Sequence, residues 1–218
     1  MLISILILNH NKVEFLDRAI RSCLNQIRVK NDIEVIVVDD SSTDDSIKKL
    51  HEYSDEIKVI QNLENLGVGQ SSNVGLMASK GEYFIRVDAD DFISPFAVTI
   101  LEMALTNNPD SGFAFSDHFL VDSVGLKIKK VKVDTFNKLL NFGAGILFQS
   151  NILKEIGGYN SDLRHCEDME LLFRLREKGI IGTHVPIPLY RYYMHGNNLS
   201  KSSEQLSKAE ELINKYGI

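Results

Sequence analysis

Short apolar runs alternate with amphipathic stretches along the first ninety residues. Leu2-Ile3-Ser4-Ile5-Leu6-Ile7-Leu8 is almost continuously aliphatic, the pattern of a strand buried on both faces. Asn9-His10-Asn11 breaks it, and Leu16, Ala19, Ile20, Cys23 and Leu24 then recur at helical spacing, predicting a helix from Val13 to about Gln26. A second buried run, Ile33-Glu34-Val35-Ile36-Val37-Val38, ends in Asp39-Asp40-Ser41-Ser42-Thr43-Asp44. Serine and aspartate there suit the N-terminus of a helix carrying Ile47 and Leu50. Lys58 to Gln61 predicts a short third strand, and a loop with Gly67 and Gly69 opens a helix through Val74, Met77 and Ala78. Tyr83-Phe84-Ile85-Arg86-Val87 is the fourth strand. Strands and helices in strict alternation predict an α/β domain with a mostly parallel central sheet flanked by helices.

The pattern changes after Asp91. Pro95 starts a helix with Val98, Leu101, Met103 and Leu105, Asn107-Asn108-Pro109-Asp110 is a turn, and Gly112 to Phe119 is a strand. Leu126 to Val133 alternates apolar residues with Lys127, Lys129, Lys130 and Lys132, which reads as a solvent-facing or edge strand protected by its lysines. Gly143-Ala144-Gly145 leads into Ile146-Leu147-Phe148, and a short helix at Ile152 to Ile156 ends at Gly157-Gly158. Glu167-Asp168 opens a helix with Met169, Leu172, Phe173 and Leu175. Pro186 and Pro188 frame an extended segment that runs to Tyr190-Arg191-Tyr192-Tyr193-Met194-His195. Ser202 to Lys215 is a polar helix with few apolar anchors.

Ligands of open parallel sheets bind beyond the carboxyl ends of the strands. Three of those ends carry Asn9-His10-Asn11, Asp39-Asp40 and Asp88-Ala89-Asp90-Asp91, so polar side chains converge on one rim. Three carboxylates within four residues repel one another unless a positive group sits among them. Alternation along the strand turns Asp88 and Asp90 the same way. Hard carboxylate oxygens suit Mg²⁺ or Mn²⁺, ions that typically complete their coordination with substrate phosphates. The competing reading is a solvated turn, with Asp90 capping the helix after Pro95. Likewise Glu167-Asp168 complements a helix dipole whether or not it does chemistry.

Composition narrows the classes. The 218 residues fit one large domain, with 44 % hydrophobic and 25 % charged residues as in ordinary globular chains. A net charge of −6 argues against nucleic acid as a partner. Leu2 to Leu8 is too short to span a bilayer and lacks a basic flank or cleavage site, so the chain reads as cytoplasmic. Cys23 and Cys166 are far apart and form neither a zinc motif nor a disulfide framework. No G-x-G-x-x-G follows the first strand, no phosphate-binding P-loop is present, and no G-x-S-x-G nucleophile elbow occurs.

From Ile3 to His195 the chain resembles the family 2 glycosyltransferases of the GT-A fold, a Rossmann-like α/β architecture with a smaller C-terminal acceptor-side region. Five parts occur in the family order: Ile5-Leu6-Ile7-Leu8-Asn9-His10-Asn11 with the following helix; Val37-Val38-Asp39-Asp40-Ser41-Ser42-Thr43-Asp44; Asn65-Leu66-Gly67 through Asn73-Val74-Gly75 and Lys80-Gly81-Glu82-Tyr83; the DxD-like Asp88-Ala89-Asp90-Asp91; and Gly157-Gly158-Tyr159 with Glu167-Asp168. The resemblance implies a nucleotide-sugar-binding half (1–93), an acceptor-side half (94–200) and a helical tail (201–218). It implies that Leu8, His10, Asn11, Asp39, Asp40, Asn65, Gly69, Asn73, Asp88 and Glu167 bind substrate. His10 stands where tyrosine is common, and imidazole can still stack on a base.

It further implies that Asp90, Asp91 and His195 hold Mn²⁺ or Mg²⁺, and that Asp168 is the catalytic base of an inverting transfer. UDP is the family's common nucleotide. The implied partners are a nucleotide-sugar donor and a saccharide or lipid-linked saccharide acceptor, in cell-surface polysaccharide or glycolipid synthesis. Contact with the inner face of the membrane and a homodimer through the tail stay open. A sugar nucleotidyltransferase, or an inactive relative that binds nucleotide or glycan without turnover, is the alternative.

Overall fold

The computed structural model describes residues 1–27, 32–195 and 202–217; the expected boundary between 200 and 201 lies outside them. Its first half follows the predicted alternation: β1 (Ile3–Asn9), α1 (Val13–Leu24), β2 (Ile33–Asp39), α2 (Ser46–His51), β3 (Lys58–Gln61), α3 (Val68–Ala78) and β4 (Tyr83–Asp88). The second half comprises β5 (Phe92–Ile93), α4 (Ala97–Asn107), β6 (Ser111–Val121), β7 (Lys127–Val131), α5 (Phe136–Leu139), β8 (Leu147–Gln149), α6 (Ser150–Glu155), α7 (Glu167–Glu177), β9 (Ile181–Tyr193) and α8 (Ser203–Tyr216).

One sheet joins both halves in the order β3-β2-β1-β4-β8-β6-β9-β5, with β7 on the side of β6. The first four strands are mutually parallel. β8 runs antiparallel to both β4 and β6 and links them, whereas β6 and β9 are again parallel. The expected mostly parallel sheet is present. Helices cover both faces, giving one apolar cluster around Ile5, Ile7, Leu16 and Val37, and another around Leu6, Phe84, Phe148 and Phe173. That two-sided burial explains why β1, β2 and β4 read as mainly apolar runs, each interrupted by one polar residue before its end (Ser4, Glu34 and Arg86).

Several local expectations change. α1 stops at Leu24 instead of about Gln26. The Gln26 side chain instead donates to the carbonyls of Ser22 and Ser94 and accepts from the Val98 N–H, tying the end of α1 to the start of α4. β5 and α5, of two and four residues, were not foreseen because elements that short carry no period. Asp90 does not cap α4, which begins at Phe96 and Ala97 without a side-chain cap. β7 pairs only with β6 among the described residues, so its lysines do line an edge.

His118 on β6 is 5 % exposed, stacks on Phe142 with ring centroids 3.8 Å apart, and has no hydrogen-bond partner for Nδ1. Burial pushes its pKa down to about 4. An unfolded chain takes up this proton near pH 6.5, whereas the folded chain refuses it until about pH 4. Folding stability therefore falls as pH drops across that window, by about 3 kcal/mol from this group. In His118→Phe the loss between pH 7 and pH 4.5, read by thermal melts, is expected to shrink by most of that amount.

Candidate active site

β1, β2 and β4 end side by side, with Asn9 opposite Asp39 and Leu8 opposite Asp88 in the ladder. Beyond these ends lies a cavity of about 530 Å³. Leu8, His10 and Asp40 line one part of it, Asp88, Asp90 and His195 another, and Arg86, Glu167 and Asp168 a third. α8 closes one side with Gln205, Leu206 and Ala209. Arg164 and His165 are shared with a more open depression of about 610 Å³ between the 162–165 loop and α8.

At the β2 end, Asp40 is fully engaged. Its Oδ1 accepts from Asn62 Nδ2 and the Leu66 N–H, and its Oδ2 from the Gly67 N–H, each at 2.8 Å. Burial acts to raise its pKa, but these hydrogen bonds outweigh it and hold the carboxyl below the usual range. Asp39 takes no part in the cavity: it is wholly buried, and its carboxylate accepts from Asn9 and twice from Ser42. Asn11 stands outside the lining as well and ties the two turns together, its backbone N–H donating to Ser42 and its side-chain oxygen accepting from the Thr43 N–H. His10 Nδ1 lies 2.7 Å from the Asp40 carbonyl and 3.3 Å from Asn65 Nδ2, with Asn65 itself accepting from Arg164.

The acidic motif divides. Asp90 Oδ2 is 2.7 Å from Lys12 Nζ and 3.4 Å from His195 Nε2. Asp88 lies 3.4 Å from Arg86 Nε and keeps a third of its side chain exposed. Asp91, expected at the metal, is instead turned away from the cavity. It is 1 % exposed, with Oδ2 accepting from the Tyr190 hydroxyl and Oδ1 from the Tyr193 N–H. The turn after β4 rotates the third carboxylate inward, where it anchors β9 beneath the site. Burial, with Asp90 and Asp88 nearby, raises its pKa well above the usual carboxylate range.

Arg86 sits at the centre. It is 4 % exposed, and its Nη2 donates to Asp168 Oδ2 at 2.6 Å, while Nη1 lies 3.4 Å from Glu167 Oε1. Burial opposes its charge, but Asp168 and Asp88 outweigh burial and raise its pKa further. Burial lifts Glu167 to about 8, with Asp168 adding to the effect. Burial likewise pushes Asp88 up to about 6. Three carboxyl groups thus crowd one guanidinium in a closed space, and the raised pKa values of two of them reflect that burial and crowding.

Asp168 does not act as a side-chain cap; Cys166, at φ 60°, occupies that position, and the Asp168 carboxylate turns to Arg86. No hydrogen bond to its Oδ1 is made among the described residues. The loop before β8 passes directly over it, so that a Cβ on Gly143 would fall 2.1 Å from that of Asp168. Gly69 has a packing role, since a side chain there would meet Asn160 and Glu167 where α3 approaches α7. Asn73 clamps the backbone of Tyr159 through both its amide oxygen and nitrogen. The candidate residues therefore split into those that line the cavity (Leu8, His10, Asp40, Asp88, Asp90, Glu167, Asp168, His195) and those that support it (Asn11, Asp39, Asn65, Gly69, Asn73, Asp91). Sequence reasoning passed over Arg86, Lys12 and Tyr190; the legible signal was an arginine inside an otherwise apolar strand.

The model of glycosyl transferase family 2 matches residues 4–156. An uncharacterised glycosyltransferase of Haemophilus influenzae is 27 % identical over all of this chain and 76 % of its own length. Several other curated relatives are matched over only 22–33 % of theirs. Among solved structures, Staphylococcus aureus TarS 1–349 in complex with UDP-GlcNAc superposes with a TM-score of 0.81 at 20 % identity, over 99 % of this chain and 66 % of that one. A mannosyltransferase from Pyrobaculum calidifontis in complex with GDP-Man and Mn²⁺ gives 0.72 at 17 % identity, over 90 % and 58 %. The architecture is the expected GT-A fold, and the chain belongs to glycosyl transferase family 2.

Proposed function

We propose that this member of glycosyl transferase family 2 moves a sugar from a nucleoside diphosphate to an acceptor hydroxyl in a single inverting displacement. The observation that carries the reading is the position of Asp168, on the cavity wall with Oδ2 fixed by Arg86 and Oδ1 left for a substrate. The acceptor hydroxyl attacks the anomeric carbon, the bond to the diphosphate oxygen breaks with its electron pair leaving on the diphosphate, and the hydroxyl proton passes to Asp168. Arg86 keeps that carboxylate aimed. Leu8, His10 and Asp40 form the wall for base and ribose, with the imidazole stacking on the base and Asp88 facing the sugar. UDP as the nucleotide is supported by the TarS complex and by the family's habit. The residues 1–93 serve the donor and 94–200 the acceptor, a saccharide or lipid-linked saccharide in cell-surface polysaccharide or glycolipid synthesis on the cytoplasmic side.

The donor set fits a divalent metal that shares its coordination with the diphosphate. Asp90 and His195 lie within 3.4 Å of each other, Asp88 lines the same cavity, and these are oxygen and imidazole ligands suited to Mn²⁺. When bound, the ion supplies positive charge to the departing diphosphate. The 2.7 Å pair of Lys12 with Asp90 favours a second reading, in which Lys12 supplies that charge itself.

Chelation separates the two. With UDP and Mn²⁺ at a hundred times the dissociation constant, stability is expected to rise by about 2.7 kcal/mol, or roughly 5–11 °C in a thermal-shift assay. Asp90→Ala and EDTA are each expected to remove that shift and to lower transfer at least about a hundredfold. A shift and turnover that survive EDTA but vanish in Lys12→Ala assign the role to the lysine.

A further inference from the structure

The lysine-lined edge accounts for the charges on β7 but not for the apolar side chains on it and in the turn before it. Val124, Leu126 and Ile128 are 76 %, 67 % and 63 % exposed, the densest run of exposed aliphatic residues among those described. Between Asp122 and Asp134 the chain carries four lysines and no acidic residue, against a net charge of −6 for the whole sequence. Lys130 is paired with Asp117; Lys127 lies over the Phe119 ring, and Lys129 and Lys132 are exposed.

We infer that the hairpin of β6 and β7 docks on an anionic lipid surface through Val124, Leu126, Ile128 and the exposed lysines that follow them, Lys129 and Lys132. Aliphatic side chains interleaved with cations match a lipid interface, where one inserts among acyl chains and the other meets acidic headgroups. A polyanionic glycan would use the lysines and leave the aliphatics idle. The turn is ready-made for insertion: Asp122 Oδ1 accepts from the N–H groups of Val124 and Leu126, so the tip is ordered before it binds. It is also joined to the site. Arg18 donates to the Ser123 carbonyl at 2.8 Å and to the Asp90 carbonyl at 3.0 Å, placing the tip one side chain from the acidic motif. Docking there brings the cavity beside the membrane, where a lipid-linked acceptor lies; that last consequence rests on the proposed transfer, whereas the docking does not.

Sedimentation with phosphatidylcholine vesicles, with and without phosphatidylglycerol, tests it. The wild-type chain is expected to sediment with the anionic vesicles and to be released by high salt. Leu126→Asp/Ile128→Asp and Lys129→Glu/Lys132→Glu are each expected to lower the partition coefficient at least about tenfold, since each lysine at an anionic surface is worth roughly fivefold. Absence of sedimentation, equal binding to neutral vesicles, or variants that bind like wild type overturns the inference. So does a wild-type dimer in light scattering that Leu126→Asp/Ile128→Asp dissociates, because the patch then faces a second copy. The thermal shift with UDP and Mn²⁺ is read in parallel on every variant. Its loss in wild type sinks the donor assignment and leaves the vesicle result standing.

Discussion

Asp168→Asn is expected to lower transfer by about 10²–10⁴-fold while the donor nucleotide binds with near-native affinity. The amide keeps the size of the side chain and can still accept from Arg86 Nη2 through its oxygen, so the 2.6 Å contact and the local packing under Gly143 persist. What is lost is a group able to take the acceptor's proton. Steady-state kinetics should show the whole effect in kcat, with the nucleotide-induced thermal shift intact. Loss of nucleotide binding in this variant would instead make Asp168 a structural partner of Arg86, and the assignment of the base would fall.

Arg86→Leu produces the largest expected loss of stability. Removing the arginine leaves Asp88, Glu167 and Asp168 facing one another with no cation of comparable burial. Breaking a buried ion pair from one side costs about 3–5 kcal/mol, which for a chain of this length lowers the melting temperature by roughly 6–20 °C. The pH dependence distinguishes this cause from simple cavity formation. Glu167 and Asp88 titrate near 8 and 6 even with the arginine present, and raised carboxyl pKa values mean stability lost as pH rises through them. The deficit of the variant should therefore shrink on acidification below about pH 6, as both carboxyls become neutral. Arg86→Lys keeps the charge but not the planar fork, and is expected to recover only part of the stability.

The sequence made the first half of the fold plain because β1, β2 and β4 are buried on both faces. Ile3–Asn9, Ile33–Asp39 and Tyr83–Asp88 could be bounded nearly to the residue, and so could the convergence of their carboxyl ends. Legibility fell where pairing partners are remote. Nothing local says that β8 inserts antiparallel between β4 and β6, or that the two residues of β5 pair with β9. The site shows the same limit. Asp88, Asp90 and Asp168 were visible as carboxylates at element ends, but the opposite fates of Asp90 and Asp91 depend on Tyr190, 99 residues later in the chain. Arg86 could be seen yet not understood, since its meaning lies in α7, about eighty positions away.

The register of the first strands has a consequence for what the fold can be altered to accept. Asp40, the residues at 8–10 and Asp88 stand at the ends of three neighbouring strands, and such strands lie about 4.8 Å apart whatever their side chains. On the proposed reading, a donor lying across them is measured against a gauge that backbone hydrogen bonds have already ruled. Mutation can reshape the pockets at either end of that gauge, exchanging one base or one sugar for another. The span between them is fixed by the pitch of the sheet, so new specificities should arise by swapping end groups and never by lengthening the bridge.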